Sequence, residues 1–113
     1  MDYEEAEEYL YSLPRMGIKA GQKNIKALLD NWGNPEEKLS CVQVAGTNGK
    51  GSVTTMIASI LQANGFRVGK YLSPHLDRLT ERIQINGKDI PPKTLAQMVS
   101  KVKELGHSCT FFE

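Results

Sequence analysis

Leu39-Ser40-Cys41-Val42-Gln43-Val44-Ala45 runs directly into Gly46-Thr47-Asn48-Gly49-Lys50-Gly51-Ser52. The first seven residues read as a short strand. From Lys50 the period changes, and Val53, Met56, Ile57, Ile60 and Leu61 recur at the i, i+3, i+4, i+7, i+8 spacing of a helix. Strand, glycine-rich turn and helix in that order are the setting of a phosphate-binding loop. Gly46, Gly49 and Gly51 let the backbone approach a polyphosphate. The N–H groups of Thr47, Asn48 and their neighbours, with the helix N-terminus behind them, offer positive dipoles to an anion. Lys50 adds a full charge for the β- and γ-phosphates, and Ser52 a hydroxyl. A glycine-rich turn that binds nothing would account for the glycines, but not for lysine and serine in register behind them.

The loop departs from G-x-x-x-x-G-K-[ST]. Counting back from Gly49, the first glycine position falls on Val44, and the position after Lys50 is Gly51. The hydroxyl that ordinarily meets magnesium is therefore missing where it is expected, and another must serve.

Downstream, Asn64-Gly65 reads as a left-handed helix cap, and Arg67-Val68-Gly69-Lys70-Tyr71-Leu72 as the next strand. Strand, helix and strand within about 30 residues predict a parallel βαβ unit with a right-handed crossover. The expected class is therefore α/β, with a parallel sheet built around the phosphate loop. Residues 73–81 look polar and irregular. Arg82-Ile83-Gln84-Ile85-Asn86 alternates like a half-exposed strand, Asn86-Gly87 signals a hairpin, and Lys88-Asp89-Ile90 returns. Pro91-Pro92 opens a last helix with Leu95, Met98, Val99, Val102 and Leu105 on one face. Upstream, residues 2–13 predict a helix with Tyr3, Ala6, Leu10 and Leu13 as its stripe and glutamates on a solvated face. Pro14 ends it, and Gly17 and Gly21 mark an irregular segment. Ile25, Leu28, Leu29 and Trp32 form a second stripe, closed by Gly33-Asn34-Pro35.

A length of 113 residues fits one small domain or part of a larger one. Fourteen basic and 13 acidic residues leave a net charge of +1, which offers no electrostatic argument for nucleic-acid binding. No apolar run approaches the roughly 18 residues of a membrane span. The start, Met1-Asp2-Tyr3-Glu4-Glu5, is acidic where a signal peptide would be basic and then apolar. Cys41 and Cys109 show neither C-x-x-C nor zinc spacing, so both are expected as small buried hydrophobes in a reducing cytosol. His75 is expected in a structural or solvent-facing role, and His107 near a helix C-terminus. The final Thr110-Phe111-Phe112-Glu113 reads as the start of a further element.

Val44-Ala45-Gly46-Thr47-Asn48-Gly49-Lys50-Gly51-Ser52 resembles the phosphate loop of the Mur ligase superfamily. Glycine after the lysine is similar to the folylpolyglutamate synthase/dihydrofolate synthase branch. Tyr71-Leu72-Ser73-Pro74-His75-Leu76, Thr80-Glu81-Arg82-Ile83-Gln84-Ile85-Asn86-Gly87 and Thr110-Phe111-Phe112-Glu113 resemble three further segments of that branch, in order. The resemblance implies an ATP- and Mg2+-dependent ligase that adds L-glutamate to dihydropteroate or tetrahydrofolate through an acyl phosphate. It implies that Lys50 is catalytic and that Ser73 ligates magnesium in place of a hydroxyl at Gly51. It also implies that Thr110, Phe111, Phe112 and Glu113 contact the pteroate by ring stacking and a carboxylate accepting pterin N–H bonds. The family's downstream metal-binding glutamate and histidine, its modified lysine and its C-terminal Rossmann-like domain have no counterpart in these residues. The expectation is thus that residues 1–113 are the N-terminal part of the ATP-binding domain, inactive alone, of a monomeric cytoplasmic parent. Another Mur-type ligase, or a short non-catalytic nucleotide-binding protein, stand as alternatives.

Overall fold

Asp2 starts the first helix, α1 (Tyr3–Ser12), by reciprocal capping. Its carboxylate accepts from Glu5 N at 2.9 Å, and Glu5 Oε2 accepts from Asp2 N at 3.0 Å. Ala6 is the residue of α1 that is fully buried; Tyr3, Leu10 and Leu13 are half-buried, so the expected stripe holds. The computed structural model describes residues 1–15, 23–106 and 109–113. The irregular segment expected around Gly17 and Gly21, and His107, lie outside the described residues.

Helix α2 (Lys23–Asn31) buries Leu28 and ends as its sequence predicts. Gly33 takes φ +88°, and Asn34 N donates back to Leu29 O at 2.9 Å. A 3₁₀ turn, Pro35–Lys38, follows. Helix α4 (Pro92–Glu104) buries Leu95, Ala96 and Val99. Met98, expected on the buried face, is 49% exposed, and the small side chain of Ala96 takes the inward position instead. These elements belong to one compact unit, Met1–Ser40 with Lys93–Glu113.

The other unit, Cys41–Pro92, contains α3 (Lys50–Ala63), β1 (Gly69–Tyr71), β2 (Ile83–Ile85) and β3 (Lys88–Asp89). Gly65 at φ +91°, with Phe66 N bonded to Leu61 O at 3.2 Å, forms the expected left-handed stop of α3. Asn86 and Gly87, at φ +50° and +79°, make the expected tight hairpin between β2 and β3.

The α/β class holds, with a small sheet, and finer expectations within it are corrected. The sheet of the described residues is antiparallel, ordered β1-β2-β3, with Lys70 opposite Gln84 and Gln84 opposite Asp89. Residues 39–45 form no strand. Leu39 has extended backbone, but an extended segment becomes a strand only through a ladder, and this one forms no ladder with any described residue. Leu39 and Val42 are accordingly 66% and 68% exposed, and Cys41, expected buried, is exposed too.

The polar face of the sheet, not its apolar one, meets α3. Lys70 and Gln84 are half-buried, and Lys70 Nζ donates to Thr55 Oγ1 of α3 at 3.3 Å, so this face meets the helix. Tyr71, Ile83 and Ile85 share the opposite, exposed face. Helix α3 buries none of its residues. Fourteen helical residues span about 21 Å, and a three-residue strand only about 10 Å. The short sheet half-covers Ile57 and Leu61 and leaves Val53, Met56 and Ile60 exposed.

Candidate active site

The phosphate loop is built by its glycines. Gly49 takes φ +74°, a left-handed conformation that costs an L side chain about 1–2 kcal/mol. It is also the N-cap of α3, where no side chain caps the helix. The N–H groups of the first turn therefore lie beside Lys50 on a surface where residues 45–53 are all exposed. A Cβ placed on Gly46 would lie 3.9 Å from Lys50 Cγ, so the lysine stem runs back over the loop. Backbone dipoles, helix N-terminus and ammonium thus share one small region, the arrangement that favours a polyanion.

Four hydroxyls near the start of α3 and the end of β1 have different commitments. Thr54 Oγ1 donates to Lys50 O at 2.7 Å and Thr55 Oγ1 accepts from Lys70. Ser52 and Ser73 are exposed. Nothing lies within 4 Å of a Cβ on Gly51, so glycine is not forced there by crowding.

The position of Ser73 follows from the run of β1. At one end of β1, Val68 pairs with Asn86, and the neighbouring Gly87 faces Gln62 near the C-terminus of α3. Further along, Lys70 meets Thr55. The strand therefore runs antiparallel to α3, and its direction carries Ser73 toward the helix end that begins at Lys50. A single hydroxyl there, together with phosphate oxygens and water, suits a small hard cation such as Mg2+.

The loop that follows is held at both ends by the 3₁₀ turn Leu79–Arg82. Leu72 N donates to Arg82 O at 2.8 Å, and Arg82 Nε to His75 Nδ1 at 2.8 Å. Ser73 and Pro74, joined by a cis bond, lie between these anchors. Glu81 collects three main-chain donors: Leu76 N at 3.1 Å on Oε1, with Asp77 N at 2.9 Å and Arg78 N at 2.6 Å on Oε2. These bonds, led by Arg78 N–H, hold the Glu81 carboxyl below the usual carboxylate range. His75 is half-buried, consistent with the structural role expected of it.

Thr110, Phe111, Phe112 and Glu113 belong to the other unit. Thr110 N donates to Glu113 Oε2 at 2.7 Å, and Glu113 N donates to Thr110 Oγ1 at 3.3 Å. This reciprocal box occupies one carboxylate oxygen, and it was readable from the T-x-x-E spacing. Phe111 stacks on Tyr11 with centroids 5.7 Å apart, and the Arg15 guanidinium sits 4.1 Å from its ring. Phe112 is 61% exposed. Of the two rings proposed to stack on substrate, Phe111 is stacked within the chain, while Phe112, edge-on to Phe111 at 5.2 Å and 5.8 Å from the Arg15 guanidinium, keeps most of its surface exposed. Burial and the Glu113 charge push the Cys109 thiol up, which keeps it in the unreactive thiol form.

The sequence alone did not reveal Glu81, Tyr11 or Arg15 as parts of these sites. The T-E-R-I segment carried the first as a motif without a role.

No family model matches the chain. A probable bifunctional folylpolyglutamate synthase/dihydropteroate synthase of Haloferax volcanii is 41% identical over the whole chain, which spans 14% of that protein. A dihydrofolate synthase/folylpolyglutamate synthase of Bacillus subtilis is 37% identical over 89% of the chain and 24% of its own length. A folylpolyglutamate synthase solved in complex with AMPPCP and folate superposes with a TM-score of 0.82 at 34% identity, over 99% of this chain and 30% of that one. The chain therefore spans a quarter or less of the curated relatives it matches. Over the segment it represents, the chain belongs to the folylpolyglutamate/dihydrofolate synthase family.

Proposed function

We propose that the chain binds the phosphates of ATP and forms the N-terminal part of the ATP-binding domain, residues 1–113, of a folylpolyglutamate or dihydrofolate synthase. The observation that carries this reading is the junction at Gly49, where a left-handed glycine opens α3 without a side-chain cap and Lys50 follows at once. Similarity to a synthase that binds AMPPCP and folate supports it.

The reaction is ATP-dependent amide formation. A carboxylate oxygen of dihydropteroate or a tetrahydrofolate attacks the γ-phosphorus, and ADP leaves. The amine of L-glutamate then attacks the acyl carbon, phosphate departs, and the amine loses a proton. Residues 46–52 cradle the phosphates with main-chain N–H groups. Lys50 is the catalytic residue, opposing charge on the transferring phosphoryl group. Ser73 supplies the hydroxyl ligand for Mg2+, which when bound neutralises phosphate charge. Phe112, Phe111, Thr110 and Glu113 form the pteroate-contacting segment, with Phe112 the ring that stacks. The parent is proposed as a cytoplasmic monomer; no described helix is long and apolar enough to cross a membrane.

The test uses the full-length protein with ATP, L-glutamate, and dihydropteroate or tetrahydrofolate in turn. The expected result is one ADP and one phosphate released per glutamate added. ATP turnover that ignores both folate substrates would contradict the assignment.

A further inference from the structure

We propose that Glu81 is a positioning residue: its carboxylate fastens the loop after β1 so that the Ser73 hydroxyl is held ready for a divalent cation. This rests on the reading of Ser73 given above and names what orders that site.

The 72–78 loop has few means of holding its own shape. The regular strand stops at Tyr71, and no side chain of the loop is fully buried. Its main-chain donors at Leu76, Asp77 and Arg78 all converge on the one carboxylate of Glu81. Hydrogen bonds to an ionised acceptor are about twice as strong as neutral ones. Three on a single group fix three successive residues relative to the 3₁₀ turn. That turn also holds the near side of the loop, through the bonds of Arg82 to Leu72 and His75. Ser73 thus sits on a short span tied down both before and after it. Freeing the far side leaves Leu72 and His75 as the remaining ties and lets the serine sample orientations that do not meet a cation.

Glutamine tests this at nearly constant size. Its carbonyl oxygen still accepts from Leu76 N, but its NH2 faces the Asp77 and Arg78 donors and cannot accept from them. Aspartate keeps both oxygens and the charge but falls one methylene short. The experiment measures Mn2+ binding by EPR to the full-length protein saturated with AMPPCP, for wild type, Glu81→Asp, Glu81→Gln and Ser73→Ala. AMPPCP binding without metal is titrated in parallel. The expected order of Mn2+ affinity is wild type, then Asp, then Gln, with Gln about tenfold weaker, as for groups that orient a metal ligand. Metal-free AMPPCP affinity stays within about twofold, since residues 46–52 are untouched. The Asp variant carries the test should Gln fail to fold. Unchanged Mn2+ binding in the Glu81 variants, with clear weakening in Ser73→Ala, would overturn the role of Glu81 alone. Unchanged binding in Ser73→Ala would remove the reading of Ser73, and this inference with it. Equal losses of Mn2+ and of metal-free AMPPCP would show general loosening, and would also overturn it.

Discussion

Two loops of the same unit are rich in main-chain N–H groups, and the chain treats them oppositely. Around residues 46–52, glycines set the backbone, no side chain caps α3, and the surface is exposed. Around residues 72–82, three consecutive N–H groups point at a carboxylate from the chain itself. The first loop is suited to an external anion because no side chain caps the start of α3. The second is already neutralised by Glu81, so it serves as a frame. A cluster of amides is a ligand site only where the sequence has left the counter-charge out.

The largest effect that would break this contrast is at Lys50. Lys50→Ala in the full-length protein is expected to lower turnover by about 100- to 1,000-fold, as for the loss of a donor aimed at developing charge. Its thermal midpoint should be unchanged, because the side chain is exposed. Steady-state ADP release and a melt check both; near-normal turnover would remove the phosphate role of the first loop.

Next come two glycines of the same unit. Gly49→Ala and Gly65→Ala both force alanine into a positive-φ position, +74° and +91°, at about 1–2 kcal/mol each. Neither meets crowding. Denaturant titration should show similar losses of stability. AMPPCP affinity should fall for Gly49→Ala only, because Gly65 lies at the far end of α3; equal affinities would deny the loop its specific geometry.

A smaller effect is expected from Asp2→Ala. Loss of the α1 cap should cost about 1 kcal/mol of stability. Denaturant titration and nucleotide titration together check this, and nucleotide affinity should not move.

The smallest effect concerns pH. The Glu81 carboxyl is held below its usual range in the folded protein. A depressed folded pKa means that its contribution is full above the unfolded carboxylate pKa and is lost as pH falls through the lower folded value. Amide exchange at Leu76, Asp77 and Arg78 should therefore lose protection only on strong acidification. The Glu81→Gln variant should show no such titration; a wild-type profile equally flat would refute the frame.

Local rules made much of the chain legible. Gly33-Asn34, Asn64-Gly65 and Asn86-Gly87 encode caps and turns within a few residues, and each appears where its sequence places it. The 46–52 loop was equally readable, since glycines, lysine and helix start are contiguous. What was not legible depends on the folded path of the chain, at short separations as well as long ones. Residues 39–45 read as a short strand but join no described ladder. Gln84 lies opposite Lys70, which reaches Thr55, so it shares the face that meets α3. Glu81 looked like one more charge in a polar stretch, and only the fold of the 72–82 loop brings three donors to it. The engagement of Phe111 by Tyr11 and Arg15 spans about a hundred positions and leaves no periodic trace.

The central claim is that residues 46–52 recognise the phosphates of a nucleotide. Calorimetric titration of the full-length protein with AMPPCP, ADP and adenosine tests it most directly. The account predicts AMPPCP and ADP binding far tighter than adenosine, with the AMPPCP advantage largely lost in Lys50→Ala. Equal affinity for adenosine and AMPPCP, or an AMPPCP affinity indifferent to Lys50, would contradict it.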